Sequence, residues 1–522
     1  MSHWAAAPLD RQQITLFAPT LDDSIGPDHP VRLFDEVLRS VDWASWQSMY
    51  IQVVGQPPIH PRVMAAGLLY GLSLGIRSSR KLEDACGNRL DFIWLMEGRQ
   101  PDHATFCKFR TQFGPQLKSL FRRIGRVGIE MGLISLNQVM LDGTDVRANN
   151  SRHNVKRKAS IQEKLLMLEQ QIEQAMTQAQ QQDQAEDQLY GVETSPTKLP
   201  RELKDLKRRQ EKLKQAMAKI QEIEQERTDR SQRSTHSPAA PLADPDARVL
   251  PNKNGGYAPN YTAVLAVDGA SGMIVDTQVS PNGSETGMVL PAVANIEETF
   301  EKKPVQLVAD SGFNNGANLA ALKKEEVEAL MPAKYPVEKN PALRADPSQP
   351  VAQKDQADLP VDVRNKVLDK AAFLYDPSKD CYACPMGKPL HYVANKPYQH
   401  GRHKGTYRVY ECAACSGCPL ASRCLPGKAK ARRIVRDEYE TLREEMARRL
   451  SSDEGKQQYR RRAHAAETPF AVMKSHMNFR QFLLRGAKKV EMELRWAAIA
   501  YNLMKVIARK LALAMKASAA PG

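Results

Sequence analysis

Two aspartates occupy equivalent places in this chain. Asp142 follows the apolar run Val139-Met-Leu and precedes Gly143; Asp310 follows Val305-Gln-Leu-Val-Ala and precedes Ser311-Gly312. Each reads as a buried strand with an acid at its carboxyl end. If the two strands are parallel neighbours, their carboxylates meet at the edge where open α/β sheets bind ligands. Two like charges so placed need a cation or a proton between them. A hard divalent ion such as Mg²⁺ takes carboxylate oxygens and leaves positions for water and phosphate. A strand-end aspartate standing alone is equally a turn cap. Asp145 is the second choice to Asp142, since it falls three residues beyond the expected strand end. Glu467 offers a third acid, within Tyr459-Arg-Arg-Arg-Ala-His-Ala-Ala-Glu467-Thr-Pro-Phe-Ala-Val-Met-Lys474. On an unbroken helix Arg460, Glu467 and Lys474 share a face, with His464 nearby. That suits a metal and a phosphate together, or an ordinary salt-bridged helix. Pro469 disturbs the helix just after Glu467.

Cysteine gives a second chemistry. Cys381-x2-Cys384 precedes Cys412-x2-Cys415-x2-Cys418-x5-Cys424. Paired CxxC knuckles suit tetrahedral Zn²⁺, and an all-thiolate site has no open position, so its expected role is structural. Six candidates exceed four ligands. One zinc with spare thiols, or a second partial site completed by His391, His400 or His403, both remain open. The other two cysteines, Cys86 and Cys107, fall among helices and read as buried apolar fillers. Eight cysteines in 522 residues are too few for a disulfide scaffold, and their clustering points to metal in a reducing compartment.

The elements that must position these groups follow from pattern. Residues 1–135 read as short helices. Arg77, Arg80, Lys81, Lys108 and Arg110 offer a helix-turn-helix-like DNA face, with a plain bundle as the alternative. Asp102 is a candidate N-cap, and Cys86 and Cys107 lie on the helices around it. Residues 136–333 alternate strands and helices in the order β, ββ, α, β, α, β, an α/β domain. It is interrupted at 155–228 by two amphipathic helices, with Ile161, Leu165, Leu168, Ile172, Met176 and Ala179 on the first stripe and Leu203, Leu206, Leu213, Met217 and Ile220 on the second. This reads as an antiparallel coiled-coil hairpin. Residues 334–434 are linker (334–375) and the cysteine-rich insert, and 435–522 are helical. The chain carries 75 Lys+Arg against 60 Asp+Glu, a net +15. Residues 425–522 hold 22 Lys/Arg and 10 Asp/Glu. A field of that sign favours a polyanion such as nucleic acid. No apolar run reaches the roughly 18 residues of a spanning helix, and the opening residues lack a signal-peptide pattern. A cytoplasmic protein is expected, with no membrane partner.

In order along the chain, several blocks resemble a bacterial insertion-sequence transposase of the DDE type, in the group with the Y-R-E-K signature and a cysteine-rich insert. They are His60-Pro-Arg, Gly75-Ile-Arg-Ser-Ser-Arg-Lys-Leu-Glu83, Pro101-Asp-His-Ala-Thr-Phe-Cys-Lys-Phe-Arg110, Leu141-Asp-Gly-Thr-Asp-Val-Arg-Ala-Asn149, Asp244-Pro-Asp-Ala-Arg248, Val308-Ala-Asp-Ser-Gly-Phe-Asn-Asn315, the segment from Phe373 through the Cys381 knuckle, and Tyr459–Lys474 with Arg485-Gly486. The resemblance implies an RNase H-like catalytic domain with Asp142, Asp310 and Glu467 holding two Mg²⁺ (or Mn²⁺) about the scissile phosphate. It implies double-stranded DNA as substrate, both terminal inverted repeats and target, nicked to a 3′-hydroxyl that then attacks the target. Bringing two ends together implies a homodimer on DNA. Tyr459, Arg462 and Lys474 would contact phosphates by the motif match, with Arg460, Arg485 and Lys488 as further DNA candidates. The signature's Arg-to-Glu gap is one residue longer here, and helical phase favours Arg460 over Arg462 beside Glu467. Rival readings are a catalytically inactive DNA-binding descendant, a divalent-metal nuclease and a coiled-coil scaffold.

Overall fold

The structure is a computed structural model describing residues 20–50, 57–190, 201–229, 237–251, 255–333, 340–362, 365–400 and 403–518. It divides into two compact units. One comprises Met1–Met131, Val472–Phe479 and Arg495–Gly522; the other comprises Gly132–Ala471 and Arg480–Leu494. The first thus gathers C-terminal segments that sequence order grouped with the catalytic part.

Seven helices open the first unit: α1 (Pro30–Arg39), α2 (Ala44–Gln47), α3 (Pro61–Ser73), α4 (Ser79–Asn88), α5 (Leu90–Leu95), α6 (His103–Gln112) and α7 (Gly114–Glu130). Proline opens α1 and α3, its missing N–H being one of the unpaired donors of a first turn. Asp102 caps α6, its Oδ1 accepting from Thr105 N at 2.7 Å. Helix α3 is buried on nearly all sides. Around Trp46 pack Phe109, Phe113 and Trp496. Two of the expected DNA-face arginines serve this core instead. Arg77 stacks on Phe479 at 4.3 Å and donates to Asn478 O, while buried Arg110 donates to Arg77 O. Arg80, Lys81 and Lys108 are exposed. Cys86 is fully buried as expected, but Cys107 is exposed and donates to Ser79 Oγ.

In the second unit the elements are β1 (Gln138–Arg147), β2 (Val155–Arg157), α8 (Lys158–Tyr190), α9 (Arg201–Asp229), β3 (Ala239–Pro241), β4 (Arg248–Pro251), β5 (Tyr257–Asp268), β6 (Ile274–Ser280), α10 (Val289–Phe300), β7 (Gln306–Ala309), α11 (Gly316–Lys324) and β8 (Glu328–Leu330). The sheet runs β4-β5-β1-β7-β8, with β6 also on β5. Strand β1 is antiparallel to β5 and parallel to β7, which is parallel to β8. This is a mixed α/β sheet, the class expected above. Continuous apolar runs such as Thr262–Val267 and Leu307–Ala309 are buried on both faces.

Helices α8 and α9 pair antiparallel, Lys158 meeting Glu224 at 2.8 Å, over a small core of Ile161, Leu213, Ala216, Ile220 and Ala240. The expected stripe on α8 does not hold its full length: Met176 is 42% exposed, and the side chain of Ala179 lies outside the described residues.

A second sheet, β13-β12-β11-β10-β9 in order, contains the cysteines: β9 (Leu374–Asp376), β10 (Cys381–Ala383), β11 (Pro389–His400), β12 (His403–Glu411) and β13 (Arg433–Arg436), with α12 (Ala421–Cys424) between the last two. The presumed linker is part of it. Ala342, Val351, Leu359, Leu368, Ala372 and Phe373 are buried with Tyr382, Leu390 and Tyr410. Arg344 donates to the carbonyls of Ala342, Pro347, Gln349 and Cys384. Helices α13 (Glu440–Ser451), α14 (Asp453–Ser475) and α15 (Ala487–Ser518) complete the chain. Among the described residues no helix is long and apolar enough to cross a membrane.

Candidate active site

Register decides where the two strand acids go. Leu141 pairs with Ala309 in the parallel β1–β7 ladder, so the next residues, Asp142 and Asp310, stand abreast where that pairing ends. Strand β1 itself does not stop there. It runs on to Arg147 beside β5, so Asp142 closes the parallel ladder rather than the strand. Asp145 also lies within β1. Side chains alternate along a strand, which puts Asp145 on the opposite face from Asp142, and its Oδ1 accepts from Thr262 Oγ1 at 3.0 Å. It is no substitute for Asp142. Gly143 lets the Glu285 carboxylate come close: a Cβ there would stand 2.2 Å from Glu285 Oε1.

Helix α14 brings the remaining groups. Its inward stripe is Tyr459, Arg462, Ala466, Phe470 and Met473, spaced by three or four. Pro469 sits inside the helix without ending it. Arg462 Nη2 donates to Asp142 Oδ1 at 2.7 Å and lies 4.0 Å from Asp310 Oδ2. Phase relative to Glu467 suggested Arg460; the buried stripe selects Arg462, and Arg460 is exposed. Glu467 and His464 are exposed on the same helix. Lys474 belongs to the first unit.

Burial pushes the Asp142 carboxyl above the usual range; the Arg462 charge opposes this, and the charges of Asp310 and Glu467 add to it. Burial also raises the Tyr459 phenol, against the nearby Arg462 charge. Asp310 Oδ1 accepts from Gly312 N at 2.8 Å, which orients the carboxylate through the turn after β7.

Arg485 is exposed and fastened within its own unit, Nε donating to Asn149 O at 2.9 Å. Lys488 is exposed in the first turn of α15. The start of that helix is held by two acids of the 244–248 block. Asp244 Oδ1 accepts from Gly486 N and from Tyr261 Oη, and Asp246 Oδ2 accepts from Ala487 N. Gly486, at φ +85°, adopts the left-handed backbone this entry requires. Sequence reasoning gave Asp244 no role, although its place in the 244–248 block was a signal.

Five thiols, those of Cys384, Cys412, Cys415, Cys418 and Cys424, line one cavity of about 220 Å³. Cys381 does not. It pairs across the strands with His391 and Asp376, so the first CxxC does not present both sulfurs to one place. Strand geometry explains this: Cys381 lies within β10, and Cys384 lies beyond its end. Among the described residues no three Cys, His, Asp or Glu side chains stand ready around a common point as a metal shell. This holds for the six cysteines, with His391, and for Asp142, Asp310 and Glu467. The donor chemistry at Asp142 and Asp310 nevertheless fits a hard cation. Two carboxylates on adjacent parallel strands share one guanidinium, which stands where charge balance demands a positive group.

Two family models match the chain. "Transposase DDE domain" covers residues 383–507, and "Transposase domain (DUF772)" covers residues 19–112. Both matches support an insertion-sequence DDE transposase. No curated protein matches it. The DUF772 match spans α1 to α6, and the DDE match runs from the cysteine sheet through Glu467 into α15.

Proposed function

We propose that this transposase nicks the ends of its element by metal-assisted hydrolysis and joins the resulting 3′-hydroxyl to target DNA, with Asp142, Asp310 and Glu467 as the acids. The observation that carries this reading is the pair Asp142–Asp310, abreast on parallel strands beneath Arg462. Mg²⁺ or Mn²⁺ held by these carboxylates supplies Lewis-acid activation of a water and of the leaving oxygen. Asp142 and Asp310 form the fixed wall of the site, since both are tied to the sheet. Glu467 approaches from α14 as the third oxygen donor. Arg462 neutralises the acids, and its planar fork of donors also suits a phosphate. Tyr459, Arg460, Lys474, Arg485 and Lys488 supply further donors for duplex DNA, both terminal repeats and target. A homodimer on DNA brings two ends together. We propose a structural zinc on four of Cys384, Cys412, Cys415, Cys418 and Cys424, which line one cavity but must close around the ion, since they form no shell as they stand.

The test is nicking and joining of a plasmid carrying the element's own ends by wild type and Asp310→Asn, with Mg²⁺ and with EDTA. Joined products that need both Mg²⁺ and Asp310 support the proposal. Cleavage without joining marks a nuclease, and end-specific binding without cleavage marks an inactive DNA-binding descendant. Either result overturns it.

A further inference from the structure

Strands β11 and β12 form a long hairpin, paired from His391–Glu411 to His400–His403. Strand β10 reaches only residues 389–391 of β11, and β13 reaches only 408–411 of β12. Beyond these, the hairpin is a two-stranded ribbon. Cross-strand partners share a face. One face holds Lys396, Tyr398, Gly405 and Tyr407. It is partly covered: Tyr398 and Tyr407 stack at 4.0 Å, and Tyr398 Oη donates to Glu438 Oε1 at 2.8 Å. The other holds Asn395, Pro397, Gln399, Lys404, Thr406 and Arg408, all exposed. Its own residues are a proline, amides, a hydroxyl and two cations, one of which, Arg408, is paired with the Asp380 carboxylate. From 391 to 410 the sequence has four Lys/Arg, three His and no Asp or Glu. Arg408 is held in place by Asp380 at 2.5 Å and by the Tyr392 ring at 5.0 Å.

The geometry points to this second face as a reader of double-stranded DNA, entering the major groove as a β-ribbon. That groove admits a two-stranded ribbon, and Asn or Gln matches adenine as Arg or Lys matches guanine. The inference rests on the transposase reading for its choice of DNA as the polyanion. It adds a contact surface remote in sequence from the acids.

The test uses the full chain and fluorescence anisotropy on two labelled duplexes, one with the element's end and one unrelated, over a salt series. Lys404→Ala should weaken both duplexes alike and reduce the steepness of the log–log salt dependence by about 1. Asn395→Ala with Gln399→Ala should cut the preference for the end duplex by about 5- to 150-fold. All four quantities unchanged would overturn the inference, as would a loss confined to single-stranded DNA or RNA. Matched melting temperatures control for folding, and Lys404→Gln repeats the charge test if Lys404→Ala unfolds. Nicking measured in parallel separates the two proposals. A wild type that binds but never nicks defeats the catalytic reading and leaves the ribbon; ribbon variants that bind as wild type defeat the ribbon alone.

Discussion

Replacing Arg462 by Met should destabilise the second unit in a way that a divalent ion repairs. The guanidinium and the Asp142 carboxylate are 2.7 Å apart, with side chains 10% and 16% exposed. That is the regime of a buried pair, where removing one partner costs about 3–5 kcal/mol because a charge is left behind. Asp310, 4.0 Å away and 41% exposed, adds no more than about 1 kcal/mol. Part of the cost is avoidable. Burial already pushes the Asp142 carboxyl up, and Arg462 is the main force holding it down; without it the carboxyl rises further and takes up a proton. The net loss should therefore be about 3 kcal/mol in EDTA near neutral pH. For a unit of this size that lowers the melting temperature by about 5–10 °C. The sign with pH follows. A carboxyl raised in the folded state binds more protons there than in the unfolded state, so stability falls as pH rises through the folded value. The deficit of Arg462→Met should thus be smaller at pH 5 than at pH 8. Mg²⁺ should raise the variant's melting temperature more than the wild type's. Scanning fluorimetry of both proteins in EDTA and in MgCl₂ measures all three. A variant as stable as wild type in EDTA, or equal Mg²⁺ increments, would refute the charge-balance argument.

Asp244→Ala leaves the buried Tyr261 hydroxyl and the Gly486 N–H without their acceptor and should cost about 3 kcal/mol; Asp244→Asn, which keeps one oxygen and drops a buried charge, should cost less, as ranked by thermal melts. Gly316→Ala would place a Cβ 2.3 Å from Tyr439 Cβ, and chemical denaturation should show a loss of about 1–3 kcal/mol. Burial pushes the Cys424 thiol up to about 11 and Cys412 to about 12. Both are thiols at pH 8, so in the metal-free protein iodoacetamide mapped by mass spectrometry should mark exposed Cys107 well before either, and Cys424 should gain reactivity only as pH nears 11. Equal rates at pH 8 would contradict the burial. Metal analysis of protein purified without chelator should find about one zinc per chain if the cavity thiols are ligands; none would remove zinc from the proposal.

The strand acids were legible because an apolar run ending in an acid is a local signal. Their meeting is legible only as a condition, because Leu141 faces Ala309 through a pairing that spans the hairpin of α8 and α9. Helical phase favours Arg460 over Arg462 beside Glu467 for a related reason. Counting from Glu467 gives the phase of one residue to another, but the face of α14 that turns inward is set by Ala466, Phe470 and Met473 packing as apolar side chains. Arg77 and Arg110 looked like surface cations because charge is read from sequence, whereas their burial is not. The stretch 340–372 looked like linker because its few apolar residues are widely spaced. Val351, Leu359 and Leu368 still suffice to bury it against the cysteine sheet.

The position of Arg462 bears on how one residue serves two charge states of the site. Asp142 and Asp310 arrive on strands fixed by the sheet, so they cannot separate to relieve repulsion. A compensating cation or proton is therefore needed in the folded state as much as in the chemistry. Arg462 meets that condition from α14. On the proposed reading a divalent ion would meet it instead, and the guanidinium, no longer required for charge balance, would keep donors for a phosphate. A motif arginine can then be both a neutralising group at rest and a DNA contact at work. Lys at 462 keeps the first role but has no fork for the second. Arg462→Lys should accordingly keep wild-type stability in EDTA while binding duplex DNA more weakly, and a variant that loses both together would show that the roles do not separate.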